Sequence, residues 1–169
     1  MSFDLYFLER RPGPSWEDAL DALEGGAEER SFGPDDESRW VAVEAAFRSL
    51  IPAADVFVGD DHRELSDTET GLQLSMFPGE ISLSVPYWYE GDEAEQMTET
   101  LRGVARAVEE ATGLVAFDPQ ANEPFLGGGD ATAAQTLEEV HEFARGIGAD
   151  APAAAASENK QPFWRRLFG

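Results

Sequence analysis

The strongest constraint on the fold is a pair of alternating segments on either side of Pro78-Gly79. Apolar residues occupy every second position in both segments, and mainly polar residues lie between them. This period is typical of strands with one buried face, and a Pro-Gly pair between two such strands is typical of a turn. The sequence therefore predicts a β-hairpin over 72–85 with one apolar and one polar face. Its apolar positions are Leu72, Leu74, Met76, Ile81, Leu83 and Val85.

Four other segments show the i, i+3, i+4, i+7 spacing of amphipathic helices. They begin at Ser15, near Asp36, at Asp92 and at Asp130, and glycine or proline residues follow the first three. Ser15 and Asp92 are expected to cap their helices, and Gly113 is expected to end the third. The predicted buried residues of the second and third helices are Trp40, Val43, Phe47, Leu50, Ile51, Met97, Leu101, Val104, Ala105, Val108 and Ala111.

Short strands are predicted over 3–8 and 114–117, and one short strand is allowed for within 56–66. Without the extra helices, the element order is β-α-β-β-α-β, the split βαβ or ferredoxin-like arrangement. We therefore predict an α+β fold, with an antiparallel or mixed sheet that has helices on one face. The expected organisation is one domain over 1–148, an alanine-rich linker over 149–160 and a basic aromatic tail over 161–169.

The chain is strongly acidic, with 34 Asp and Glu residues, 12 Lys and Arg residues and a formal net charge of −22. This charge repels nucleic-acid phosphates and anionic lipids, so direct binding to nucleic acid is not expected. Two interpretations stay open: a surface that keeps the protein dissolved, or an acidic face that binds a basic protein. Residues 1–150 carry 9 basic and 33 acidic side chains, a net charge of −24, whereas 151–169 carry 3 and 1, or +2.

Several functional classes lack their sequence signals. Cysteine is absent, which excludes a disulfide framework, a thiolate metal site and a cysteine nucleophile. No segment approaches the roughly 20 apolar residues of a membrane span, and the first residues lack the layout of a signal peptide. The glycine-rich segment 127–129 has no following Lys-Ser/Thr pair, and no G-x-S-x-G motif is present. We therefore expect a cytoplasmic protein without a cofactor.

A candidate metal site lies in one acidic segment: Asp60, Asp61, His62 and Glu64. These side chains are suitable ligands for a divalent cation. With Asp118 at a predicted strand end, they would suggest a metal-assisted hydrolase. However, their spacing is not that of a calcium loop, and His62 has no second histidine at a motif spacing. The alternative interpretation is a solvated loop, with Asp118-Pro119 as a turn. We predict no catalytic residue.

Two aromatic segments are candidates for binding a partner. Tyr87, Trp88 and Tyr89 follow the hairpin directly, and three consecutive aromatics cannot all point inward from one strand. At least one is therefore expected at the surface, where Tyr and Trp favour recognition. The tail combines apolar and basic residues: Phe163, Trp164, Arg165, Arg166, Leu167 and Phe168. Such a segment is expected to dock on a protein, either its own domain or a partner, and the acidic body disfavours membrane contact.

Three stretches resemble a group of small, uncharacterised bacterial α+β proteins. They are the opening Phe3–Tyr6, the hairpin segment Gly71–Trp88 and the segment Thr112–Gln120. The resemblance extends over roughly residues 1–148, and some proteins of this general type are immunity proteins of bacterial toxin systems. It implies no catalytic residue.

The leading hypothesis is a non-enzymatic, cytoplasmic protein-interaction module of the immunity type, whose acidic face binds a basic protein. Tyr87, Trp88 and Tyr89 would supply its apolar anchors. The alternatives are a metal-assisted hydrolase that uses the 60–64 segment, and a nucleic-acid mimic whose carboxylates are spaced like phosphates.

Overall fold

Seven strands form one antiparallel sheet in the computed structural model, which describes residues 2–10, 15, 16, 18–20 and 31–127. The strand order is β2-β3-β4-β5-β1-β6-β7, and each neighbouring pair is antiparallel. The strands are β1 (Ser2–Leu8), β2 (Asp55–Val58), β3 (Arg63–Ser66), β4 (Gln73–Phe77), β5 (Glu80–Pro86), β6 (Val115–Asp118) and β7 (Glu123–Pro124). The helices with full bounds are α1 (Pro34–Leu50) and α2 (Gly91–Thr112). In the described part of the chain, no helix is long and apolar enough to cross a membrane.

The α+β class and the central hairpin are confirmed. Strands β4 and β5 pair around Pro78-Gly79, with Phe77 opposite Glu80 and Leu74 opposite Leu83. All six apolar positions predicted for the hairpin are buried. The sheet is larger than a split βαβ unit, because β2 and β3 extend it beyond β4 and β7 extends it beyond β6.

The two faces of the sheet differ sharply in polarity. The core face carries Leu5 and Leu83, which lie opposite each other and pack beneath α1 and α2. The far face carries Asp4, opposite Ser84, and Ser75, opposite Ser82. Burying one large apolar side chain contributes roughly 1.5–3 kcal/mol, so the core face holds the helices to the sheet. Its helical partners include Trp40, Val43, Phe47, Met97, Leu101, Val104, Ala105 and Val108.

The helix limits differ from the predictions at their N-terminal ends. Helix α1 begins at Pro34, before the predicted start near Asp36, because the Asp36 carboxylate accepts a hydrogen bond of 2.9 Å from the backbone N–H of Gly33. The prediction that Asp92 caps α2 is wrong, since Glu90 occupies the cap position and makes no side-chain cap bond. Gly113 ends α2 in the left-handed conformation as predicted.

Two predicted buried positions on the helices are wrong. Leu50 is half exposed, because it is the last residue of α1 and only part of its side chain packs against α2 near Gly103. Ala111 is exposed in the last turn of α2. The remaining predicted core residues of both helices are buried, apart from the partly buried Ile51.

Segment 55–66 forms two strands where the sequence allowed for one. The backbone N–H of Gly59 donates to the carbonyl of His62 at 2.8 Å and closes a turn around Asp60 and Asp61. All residues of β2 are exposed, so the strand has no alternation to detect. In β3 the buried residues are Arg63 and Leu65, and the charge of Arg63 conceals the period. Strand β7 was also missed, because it has only two residues.

The described part of the segment that begins at Ser15, residues 15, 16 and 18–20, lies on the far face. Ser15 Oγ accepts the backbone N–H of Asp18 at 3.1 Å, and the Asp18 carboxylate accepts the Ser15 N–H at 2.9 Å, so the predicted cap is confirmed. Trp16 stacks on Phe117 with ring centroids 5.6 Å apart. Phe117 lies opposite Tyr6, on the face away from α1 and α2. The prediction of helices on one face is therefore wrong for this segment. The last predicted helix, the linker and the tail lie outside the described residues.

Arg63 of β3 connects α1 to the sheet through an ion pair and ring contacts. Its side chain is buried on the core face, where Nη2 donates to Oε1 of Glu37 in the first turns of α1. The guanidinium carbon lies 4.3 Å from the centroid of Phe32 and 5.8 Å from that of Trp40. The hydrogen bond with Arg63 lowers the pKa of the Glu37 carboxyl.

Replacing Arg63 should therefore destabilise the protein. We expect Arg63→Ala to lower the free energy of unfolding by about 2–4 kcal/mol, since it removes buried packing and the ring contacts. Arg63→Lys should lose about half as much, because it keeps the charge without the planar stacking. Urea denaturation measures both. Glu37→Gln is the control and should cost less than Arg63→Ala, because residue 37 is largely exposed; equal losses would contradict the packing role.

Candidate functional site

An exposed apolar strand forms one margin of the sheet. In β2, Val56 is 39% exposed, Phe57 56% and Val58 60%. β2 pairs with β3 on one side and is the last strand in the sheet order on the other. Such an edge strand is a template for pairing with another chain, and proteins usually shield it.

The backbone of β2 directs alternate residues away from the sheet. The Gly59–His62 hydrogen bond fixes the phase of the β2–β3 ladder. Because the bonding pattern of antiparallel strands alternates, Asp55 and Phe57 exchange hydrogen bonds with β3. Val56 and Val58 therefore point their N–H and C=O groups outward, which gives four backbone hydrogen-bonding groups along the free edge.

Carboxylates surround this apolar strand. Asp55 lies at its start, and Asp60 and Asp61 lie in the turn after it; all three are exposed. The adjacent cation, Arg63, is turned inward and paired with Glu37, so its charge does not offset them. We call residues 55–61 the acidic edge. It combines apolar area, backbone groups that point away from β3 and negative charge within one short segment.

His62 packs beneath the acidic edge on the far face. Its ring stacks on Phe77 at 4.7 Å with an interplanar angle of 14°, and lies 5.7 Å from the ring of Phe57. Nε2 lies 3.7 Å from Oε2 of Glu64. Burial lowers the pKa of the imidazole, and the nearby Glu64 and Asp61 partly oppose that shift. The imidazole ring thus packs against Phe57 on the far face.

The structure does not gather the residues of the metal-site alternative into one cluster. Among the described residues, no group of three or more His, Asp or Glu side chains could hold a metal ion. Asp60 and Asp61 point into the exposed turn, and Glu64 accepts a hydrogen bond of 2.8 Å from Gln73. Asp118 ends β6, four strands away from β3 in the sheet order, or about 19 Å at the usual strand spacing.

Asp118 instead organises the turn after β6. Its carboxylate accepts the backbone N–H groups of Gln120 and Ala121 at 2.8 and 3.2 Å. Burial raises the pKa of Asp118, although these bonds partly counter the effect. This geometry agrees with the turn interpretation of Asp118-Pro119.

The aromatic triplet after β5 divides into two anchored tyrosines and one exposed tryptophan. Tyr87 accepts a hydrogen bond of 3.0 Å from the side chain of Gln120, and Tyr89 donates to the carbonyl of Thr70 at 2.5 Å. Trp88 is 52% exposed and lies against Gly71. Only Trp88 therefore offers a large apolar surface, and a binding role for the triplet stays a prediction. The tail residues Phe163–Phe168 lie outside the described part.

Sequence reasoning missed the acidic edge as a site. The run Val56-Phe57-Val58 was visible as an apolar segment, but an apolar segment is more often buried than exposed. The flanking residues carried the available signal for an exposed strand, since residues 55–64 contain four carboxylates and no Pro. No family model, curated protein or solved structure matches this chain.

The lowered pKa of His62 predicts a pH-dependent stability. The unfolded imidazole titrates near 6.5 and the folded one below it, so protonation favours the unfolded chain. This contribution to stability is complete above pH 6.5 and should be lost as the pH falls below 6.5 and through the lower pKa of the folded imidazole. Urea unfolding at pH 8, 6.5 and 5.5 measures it. His62→Phe keeps a ring against Phe77 and should lose less stability over this range; parallel curves for the two proteins would contradict the prediction.

Gly71 should be intolerant of a side chain, because Trp88 packs directly on it. Gly71 has a φ of +70°, and an added Cβ would lie 2.8 Å from Trp88 and 2.9 Å from Pro86. We expect Gly71→Ala to cost about 2–4 kcal/mol from backbone strain and overpacking together. Gly113→Ala is the matched control, since its φ is +72° and its Cβ would meet nothing within 4 Å. It should cost about 1–2 kcal/mol, and equal losses in thermal or urea unfolding would exclude the Trp88 contact as the cause.

Proposed function

We propose that this protein is a non-enzymatic protein-binding module whose acidic edge binds a basic protein. The observation that carries the proposal is the exposed run Val56–Val58 between Asp55 and the Asp60-Asp61 turn. A partner that covers this surface must bury apolar area and meet three carboxylates. Both requirements fit a segment with apolar residues at its centre and Lys or Arg at its ends.

The charges and the apolar residues would act at different stages of binding. Carboxylates attract a basic partner over several ångströms and raise the association rate, and salt screens this attraction. Affinity would come mainly from desolvating Phe57 and its valine neighbours, since buried aromatic and aliphatic anchors dominate binding energy. Trp88 offers a second anchor at the Asp55 end of the sheet, because Gly71 beneath it belongs to the loop after Ser66, which pairs with Asp55.

Finer assignments belong to the same proposal. A cytoplasmic immunity-type protein that neutralises a basic toxin domain would need such a surface, and this is the role we favour. We also propose that the fold is an enlarged split βαβ unit. In support, β4-β5-β1-β6 are consecutive in the sheet, and α1 and α2 pack on one face of it. The hydrolase and the nucleic-acid mimic have no comparable support among the described residues.

Removing the charges of the acidic edge should weaken binding to a basic partner. In the test, the full chain is immobilised and the proteins that it captures from a lysate are identified. Each purified basic partner is then titrated against the chain at 50 and 300 mM salt to measure its dissociation constant. We expect the triple variant Asp55→Asn, Asp60→Asn, Asp61→Asn to bind about tenfold or more weakly at low salt and to show a flatter salt dependence. The dependence of the dissociation constant on salt should be flatter because the variant lacks ion pairs that salt would screen.

A matched triple variant separates local from global charge. Glu9→Gln, Glu95→Gln and Glu110→Gln remove the same three charges from exposed positions elsewhere. This control should bind within about threefold of the wild type, since distant charges are largely screened. Equal weakening by both variants would assign the effect to net charge. If no basic protein binds the wild type with salt dependence, the proposed function is wrong.

A further inference from the structure

The outer edge of β2 has the geometry of an acceptor for another strand. Val56 and Val58 direct their N–H and C=O groups away from β3, and all four residues of β2 are exposed. We infer that the basic partner contributes an extended segment that pairs antiparallel with β2 and adds an eighth strand to the sheet. This inference rests on the proposed function and specifies how the partner is recognised.

The ladder determines which partner residues bond to the backbone. Val56 and Val58 would each exchange two hydrogen bonds with the residue opposite them, because hydrogen-bonded pairs alternate along antiparallel strands. The partner residue opposite Phe57 would direct its N–H away from β2. The partner amides opposite Val56 and Val58 should therefore be essential for binding, and the amide opposite Phe57 should not.

Side chains on both faces define the chemistry of the partner segment. Residues opposite Val56 and Val58 would lie on the core-face side and should be apolar, and the residue opposite Phe57 should be aromatic or aliphatic. Residues opposite Asp55 and Asp60 should be Lys or Arg. Read from the amino end of the partner, the pattern is basic, any, apolar, aromatic, apolar, basic.

Charge favours a basic partner over a second copy of this chain. A β2–β2 pair would bring together two edges with exposed carboxylates at Asp55, Asp60 and Asp61. Each copy also has a net charge of −22, which opposes association. A basic segment meets the same backbone groups and replaces this repulsion with attraction.

The probe is the peptide acetyl-Lys-Thr-Val-Phe-Val-Lys-amide, titrated against the full chain by NMR or calorimetry at 50 mM salt. N-methylation of both valines should weaken binding by about tenfold or more, because it removes the amides that face Val58 and Val56. N-methylation of the phenylalanine is the matched control and should change the dissociation constant by less than about twofold. Equal effects of the two modifications, or no binding of the unmodified peptide, would overturn strand addition.

A substitution in β2 tests the same bonds from the other side. Val56→Pro removes only an outward N–H and leaves the ladder with β3 intact, which edge strands tolerate. It should weaken peptide binding by about tenfold or more relative to Val56→Ala, which loses side-chain contact but keeps the outward N–H. Circular dichroism and the urea midpoint check that Val56→Pro is folded. If it unfolds, the N-methylated peptides decide the question with the wild-type chain.

The outcomes also distinguish this inference from the proposed function. One possible result is that a purified basic protein binds the Asp55/Asp60/Asp61 variant more weakly than the wild type but binds Val56→Pro as tightly as the wild type. This result would support the proposed function and overturn strand addition. Concentration-dependent dimerisation of the wild type in sedimentation, abolished by Val56→Pro, would assign the edge to a second copy and overturn the basic partner.

Discussion

The inward orientation of Arg63 is the constraint on which the edge of this protein depends. Alternation along β3 places Arg63 and Leu65 on the core face, so a cation lies where an aliphatic side chain would be expected. Burying the guanidinium costs solvation free energy that other contacts must offset. Glu37 does so by accepting a hydrogen bond from Nη2 of Arg63, and Phe32 and Trp40 do so through their ring faces. Among the described groups, Nε has no hydrogen-bond acceptor, so the rings carry part of this role. One interaction thus binds α1 to the sheet and removes positive charge from the surface beside β2.

The composition of β2 balances two opposite requirements. An apolar edge strand risks pairing with identical chains, and proteins usually limit this with charges, proline or short strands. Here the strand has four residues, and carboxylates lie at both ends. These features repel another copy of the same edge, yet they attract a cationic segment. The same charges that oppose self-pairing of the exposed strand would therefore also attract the basic partner that we propose.

Much of the core could be predicted because burial on one side produces a readable period. The hairpin over 72–85 and the α2 stripe around Leu101 and Val104 follow directly from alternation and helical spacing. Strand β2 could not be found this way, since exposure on both faces removes the period. Strand β3 was obscured because ion pairing allowed Arg63 to occupy a buried position. The candidate site consists of β2 and the turn that joins it to β3, so it lies where the usual patterns of burial are least visible in the sequence.

The large net charge is informative only after its positions are known. At physiological salt, exposed charges more than about 8 Å apart are largely screened from one another. Most of the carboxylates therefore affect solubility and the approach of a partner, without orienting it. Asp55, Asp60 and Asp61 differ because they lie beside exposed apolar side chains and outward backbone groups. In the proposed complex, hydrogen bonds along β2 would fix the direction of the added strand and the carboxylates would limit where its cations can lie, so geometry and charge together would define a single register. Neither the net charge nor the apolar run could specify it alone.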